Sequence, residues 1–182
     1  ALLELYNYLA SQYPKFASNY DYDKFINTPL LLKTDQELIT DFSKRRRLHI
    51  KQVINACGYK KLTAAAIEKA FSVFWRARQR VTLFPDTHQI LLALSTNFPL
   101  VSISNGNACT KSIGIGQYFQ YSISAADTGK PKPDKSMFLL ACKKLQIQAE
   151  QLIHIGDSIH YDIEGAYQAG CRSIWLNQHR EV

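Results

Sequence analysis

Ile155-Gly156-Asp157-Ser158-Ile159-His160-Tyr161-Asp162-Ile163-Glu164-Gly165-Ala166 decides the fold of this 182-residue chain. The apolar run Leu152 to Ile155 that leads into it predicts a buried strand. The strand stops at Gly156, so the carboxylate of Asp157 stands at its C-terminal end. Asp162 follows five residues later, where a helix is expected to begin. Ligands of open α/β sheets sit at the carboxyl ends of the strands. Two acids there form a hard-oxygen site suited to Mg²⁺, which takes one or two carboxylates, several waters and a substrate phosphate. Alone, the stretch reads more simply as a loop acid followed by a helix cap. Two segments upstream weigh against that bland reading.

Leu100-Val101-Ser102-Ile103-Ser104-Asn105-Gly106-Asn107 is a second apolar strand, and it ends in a hydroxyl, an amide and a glycine. Small residues at such a turn let backbone N–H groups approach an anion closely. Gly129-Lys130-Pro131-Lys132-Pro133-Asp134 is a proline-stiffened loop that presents lysines just before a helix expected from Lys135 to Leu145. Pro133 fixes its own φ and restrains its predecessor, so Lys132 is aimed in a defined direction.

The rest of the chain falls into two halves. Residues 1 to about 80 read as helices. Leu2, Leu5, Tyr6 and Leu9 have helical spacing, Asp35 caps a long helix toward Cys57 with Leu38 on its apolar side, and Thr63 caps the next. From residue 81 the pattern changes. Strands are expected at Leu100–Ser104, Tyr121–Ser124, Leu152–Ile155 and Arg172–Leu176, separated by helices. Strands alternating with helices imply right-handed crossovers and a parallel sheet. The expected organisation is a helical domain over 1–80 and an α/β domain over 81–182, linked near Arg80 to Pro85.

Hydroxyl, lysine and paired acids, in that order on successive strand ends, resemble the second, third and fourth motifs of the haloacid dehalogenase-like hydrolases. The resemblance implies a Rossmann-like core with a parallel sheet and a small helical cap inserted after the first motif. It implies Mg²⁺ as cofactor and hydrolysis of a small phosphomonoester through an aspartyl-phosphate. By position, Ser104 would hydrogen-bond the transferring phosphoryl group, with Asn105 and Gly106 in the same substrate-binding turn. Lys132 would neutralise the phosphoryl charge, Asp157 would ligate the metal and Asp162 would support that site. The physics agrees, since phosphoryl transfer is mostly positioning and charge stabilisation. One departure is large. The family's first motif, D-x-D-x-[TV] at the end of a first, central strand, is absent from these residues. Asp21-Tyr22-Asp23 has the spacing, but Ala17-Ser18-Asn19-Tyr20 before it is no buried strand. The expectation is a chain that lacks the nucleophile segment and is inactive alone. Leu83-Phe84-Pro85-Asp86-Thr87-His88, the Ser104-to-Asn107 turn and Trp75-Arg76 resemble a bacterial subgroup acting on flavin-pathway phosphates, such as FMN or the ribityl-aminouracil phosphate precursor of riboflavin.

Composition narrows the classes further. No apolar run reaches the length of a membrane span, and Cys57, Cys109, Cys142 and Cys171 show no C-x-x-C spacing, so reduced thiols in a cytoplasmic protein are expected. A lone strand histidine such as His154 reads as a satisfied core residue rather than a metal ligand. The net charge of +7 suits a phosphorylated metabolite better than nucleic acid. No membrane partner is expected, and the chain is expected as a monomer or homodimer. Lys44-Arg45-Arg46-Arg47 points in several directions around a helix and reads as a solvated face, with an arginine at the active-site mouth as the functional alternative. Two further functions compete. One is a non-catalytic protein of the same fold that binds a phosphorylated ligand or partner. The other is a haloacid dehalogenase proper, an enzyme that needs no Mg²⁺, against which the Asp157/Asp162 pair argues.

Overall fold

The spacing of Leu2, Leu5 and Leu9 forms α1, Leu2–Gln12, and fully buries Leu5 and Leu9. The computed structural model describes residues 1–31 and 41–177. Pro14 opens α2, Pro14–Asn19, at a position where its missing N–H costs nothing. Asp21 caps α3, Tyr22–Asn27, its carboxylate accepting the Lys24 N–H at 2.7 Å. Asp21-Tyr22-Asp23 therefore starts a helix and ends no strand. Helix α4, Phe42–Ala56, is capped by Asp41, and α5, Ala64–Gln79, by Thr63. The expected cap Asp35 and the apolar Leu38 lie outside the described residues. These helices bury one core built on Leu5, Leu9, Phe16, Phe25, Ile50, Ile54, Phe71 and Phe74. They form a compact unit, Ala1–Thr82.

A second compact unit runs from Leu83. It opens with α6, Thr87–Asn97. Strand β1, Val101–Ser104, pairs in parallel with β2, Tyr121–Ser124, with Ser104 opposite Ser124. After the short α7, Ala125–Thr128, comes α8, Ser136–Leu145, which packs on β1 and β2. Strand β3, Ile153–Gly156, pairs in parallel with β4, Arg172–Trp175, with Gly156 opposite Trp175. Between them lie a π-helical turn, Ile159–Glu164, and α9, Gly165–Gln168. The sheet is thus two parallel pairs, β1-β2 and β3-β4. Met137, Phe138, Ala141 and Cys142 of α8 are buried against Ile123, Ala125, Ala166 and Cys171.

Two expectations need correction here. The run Leu152 to Ile155 is not buried throughout. Side chains alternate along a strand, and the inward positions of β3 are His154 and Gly156, while Ile153 and Ile155 are 47% and 50% exposed. The helix after Asp157 starts at Ile159 rather than at Asp162, because Ser158 is its cap and accepts the Tyr161 N–H at 3.1 Å. No helix among the described residues is long and apolar enough to cross a membrane, and the four cysteines are free thiols.

Candidate functional site

The site begins with the missing side chain of Gly156. A Cβ there would lie 2.3 Å from Asp162 Cγ, so only glycine lets the π turn fold back onto the end of β3. Gly165 allows a second, less strict close approach. A Cβ on it would meet Phe138 at 3.0 Å and the Pro133 backbone at 3.1 Å. With no side chain there, the turn carrying Asp162 approaches Phe138 of α8 and the loop carrying Lys132.

Asp162 is 5% exposed, and both of its carboxylate oxygens are engaged. Oδ1 accepts the Lys132 ammonium in a short ion pair and lies 3.0 Å from His154 Nε2. Oδ2 accepts the Ser158 N–H at 3.0 Å. Burial works to raise its pKa, but hydrogen bonds from His154, Lys132 and the Ser158 N–H, with the lysine charge, outweigh burial and hold the carboxyl well below its usual range. A buried charge is tolerated when it is paired and its remaining lone pairs are satisfied. Asp162 meets both conditions.

Lys132 is 8% exposed. Besides Asp162, its Nζ donates to the carbonyl of Ile103 on β1 at 3.2 Å. Asn105 fixes the lysine's backbone from both sides, accepting the Lys132 N–H and donating to the Lys132 carbonyl. The Lys132–Pro133 peptide is cis. Lys130, by contrast, is exposed, and among the described residues its ammonium pairs with Asp134, at 3.6 Å. An ammonium has three donors. Two are spent on Ile103 and Asp162, which leaves one N–H of Lys132 for a ligand.

Ser104 directly precedes Asn105 in the chain, and Asp157 lies between His154 and Asp162. Asp157 is exposed, and its carboxylate makes no hydrogen bond or ion pair among the described residues. Its backbone is held, since Trp175 Nε1 donates to the Asp157 carbonyl at 3.0 Å. Ser104 accepts the Gly106 N–H at 2.9 Å; its own O–H has no acceptor among the described residues.

The structure therefore brings Asn105, Lys132 and Asp162 into one hydrogen-bonded set and places Ser104 and Asp157 next to it in sequence. It adds His154, which sequence reasoning treated as a core residue. The one available signal was its position two residues before Gly156, on the inward face of β3. No group of three or more His, Cys, Asp or Glu side chains able to hold a metal occurs among the described residues. Of the two acids at the end of β3, Asp157 is the one whose carboxylate has no partner among the described residues.

Three comparisons with known proteins bear on the family of this chain. A family described as haloacid dehalogenase-like hydrolase matches residues 5–170. The 5-amino-6-(5-phospho-D-ribitylamino)uracil phosphatase YigB of Escherichia coli (strain K12) is 31% identical over 145 residues, which are 79% of this chain and 61% of that protein. A phosphoglycolate phosphatase of Pectobacterium atrosepticum is 35% identical over 62% of this chain and 46% of its own length. The chain thus spans about half to three fifths of these curated relatives. Among solved structures, a 2-haloacid dehalogenase from Pseudomonas syringae pv. Tomato DC3000 matches with a TM-score of 0.86 and 31% identity, covering 99% of this chain and 79% of that one.

Proposed function

Because the chain belongs to the haloacid dehalogenase-like hydrolases, we propose that it forms most of a Mg²⁺-dependent phosphatase acting on a small phosphomonoester. The observation that carries the reading is the buried Lys132–Asp162 pair, together with the Asp157 carboxylate that follows the end of β3 and has no partner among the described residues. Lys132 is a preorganised cation with one N–H free. Its backbone is locked by Asn105 and its ammonium by Asp162 and Ile103, so it needs little reorganisation to meet negative charge on a phosphoryl oxygen. The Ser104 hydroxyl is a second donor. Asp162 serves by orienting Lys132 and His154, since its own oxygens are taken.

The donor set fits Mg²⁺. The ion binds through one or two carboxylates and keeps several waters, and Asp157 offers one unspent hard carboxylate at a strand's carboxyl end. When bound, the metal would draw negative charge from a substrate phosphate. Attack on phosphorus is assigned by the family resemblance to an aspartate of a D-x-D-x-[TV] strand. That motif is not in residues 1–182, and no carboxylate directly follows β1, β2 or β4. The proposal therefore takes the nucleophile from outside these residues and expects 1–182 alone to be without turnover.

Similarity to the ribitylaminouracil phosphatase supports a flavin-pathway phosphate as the substrate, with FMN or 5-amino-6-(5-phospho-D-ribitylamino)uracil first in line. Similarity to a 2-haloacid dehalogenase supports a second reading, displacement of halide from a 2-haloacid. The free Asp157 carboxylate favours the phosphatase, since the dehalogenases use no metal. The test is a panel assay on the product of the complete reading frame. Phosphate release from phosphomonoesters, with the ribityl compound and FMN preferred over phosphoserine and phosphoglycolate, is the expected result. Halide release from 2-chloropropionate without phosphate release would replace the reading with the dehalogenase.

A further inference from the structure

His154 sits on the inward face of β3, two residues before Gly156, and its side chain is 10% exposed. The Phe138 ring of α8 stands edge-on to the imidazole, with centroids 5.0 Å apart and planes at 89°. That packing fixes the plane of the imidazole and points Nε2 at Asp162 Oδ1, 3.0 Å away. An ionised carboxylate only accepts, so Nε2 carries the hydrogen. Packing alone does not call for a histidine here. An apolar side chain would meet Phe138 equally well, whereas a buried imidazole without a partner costs free energy.

The oxygen that His154 meets is the one that matters to Lys132. Oδ1 takes the Lys132 ammonium as well, while Oδ2 takes the Ser158 N–H. The last torsion of an aspartate is broad and soft, so the rotamer does not by itself place Oδ1. With the Ser158 N–H holding one oxygen and His154 the other, the carboxylate plane is set, and the ammonium follows it. Asp162 already balances the charge of Lys132, so the ring has only to donate. A neutral amide of the same reach should therefore replace it, and an apolar ring should not.

We propose that His154 is a positioning residue, whose Nε2–H holds Asp162 Oδ1 where the carboxylate aims the Lys132 ammonium at the phosphoryl group. It acts through Asp162 and does not touch substrate. Its kinetic consequence rests on the phosphatase reading. The placing of the ammonium is a property of the folded chain and is read separately.

The experiment compares His154→Gln, which keeps an N–H donor, with His154→Phe, which keeps a ring without one, in the product of the complete reading frame. His154→Leu, smaller than the imidazole, gives the same comparison if the phenyl ring prevents folding. The first readout is the NMR signal of the Lys132 ammonium, assigned by its absence in Lys132→Arg. It should stay in place in His154→Gln and shift or broaden in His154→Phe. The second is p-nitrophenyl phosphate turnover. His154→Phe should lower kcat at least about tenfold, the loss expected for one hydrogen bond to a charged group, with KM little changed. His154→Gln should recover most of that loss. An unmoved ammonium signal in the donor-less variant, or a His154→Gln protein as impaired as His154→Phe, would overturn the proposal. If the parent turns over no phosphomonoester but its ammonium signal moves in His154→Phe and stays in His154→Gln, the phosphatase reading falls and the positioning role stands.

Discussion

Asn105 and Lys132 exchange two hydrogen bonds, the Lys132 N–H to Asn105 Oδ1 at 2.7 Å and Asn105 Nδ2 to the Lys132 carbonyl at 2.9 Å. Their positions are 27 residues apart, so this pair ties the turn after β1 to the lysine loop. Asn105 was expected to face substrate, and its amide is instead occupied with holding Lys132. Asn105→Ala should strand two part-buried backbone groups and cost about 2 kcal/mol or more. Asn105→Asp keeps an acceptor for the N–H but sets a carboxylate oxygen against the Lys132 carbonyl, and should cost more. Thermal unfolding of both variants checks the order; an Asn105→Ala protein as stable as the parent would show that the lock does not matter.

Gly156 should tolerate no side chain. The Cβ of Gly156→Ala would sit 2.3 Å from Asp162 Cγ, and Asp162 cannot retreat without leaving Lys132 and His154. Overpacking of this kind costs about 1–3 kcal/mol. The proposed hydrolysis should fall with it, since the carboxylate that aims Lys132 would move. Activity and melting temperature measured on one preparation decide the point, and a variant with normal values for both would contradict it.

The two lysines of the loop should separate cleanly. Lys132→Ala leaves Asp162 as a buried charge without its main partner, which costs about 3–5 kcal/mol in stability. It also removes the proposed phosphoryl donor. Lys130→Ala loses only an exposed pair with Asp134, a contact worth about 0–1 kcal/mol. A larger loss of kcat/KM in Lys130→Ala would mean that the phosphate lysine is two residues upstream of its assigned place.

Acid should act on both units. The Asp162 carboxyl is depressed, so its contribution to stability is present above the unfolded carboxylate pKa and disappears as pH falls through the lower folded value. Asp162→Asn should remove that strongly acidic limb. His49 is a base depressed from 6.5 to about 4. The unfolded chain then binds the proton first, so its share of stability is full above 6.5 and is lost as pH falls toward 4. His49→Gln should flatten this part of the curve relative to the parent. Unfolding midpoints across pH for parent and variant give the answer; an unchanged slope between pH 6.5 and 4 would contradict it.

Much of the fold was legible because its signals are local. Strand positions, the helical first half and the cap Thr63 follow from spacing and from residues next to the element they end. The order Ser104, Lys132, Asp157 was legible for the same reason. The contacts that organise the site were not. His154 and Asp162 are eight residues apart and meet only because a π turn and Gly156 let the chain fold back, and no periodicity announces either. The apolar letters of Ile153 and Ile155 pointed to full burial, whereas the inward face of β3 carries a histidine and a glycine. Asp162 read as half of a metal pair because spacing reports that two acids are near, and does not report that a buried lysine and a histidine already hold one of them.

The most direct test of the account is the Mg²⁺ dependence of p-nitrophenyl phosphate hydrolysis by the product of the complete reading frame, for the parent and for Asp157→Asn. Asp157 is exposed and its carboxylate has no partner among the described residues, so this substitution should leave folding intact. The account predicts turnover that is lost in EDTA and restored by Mg²⁺, and a variant that folds normally but needs far more Mg²⁺ and turns over poorly even when saturated. Parent turnover that survives complete chelation, or an Asp157→Asn protein with the parent's Mg²⁺ titration, would contradict it.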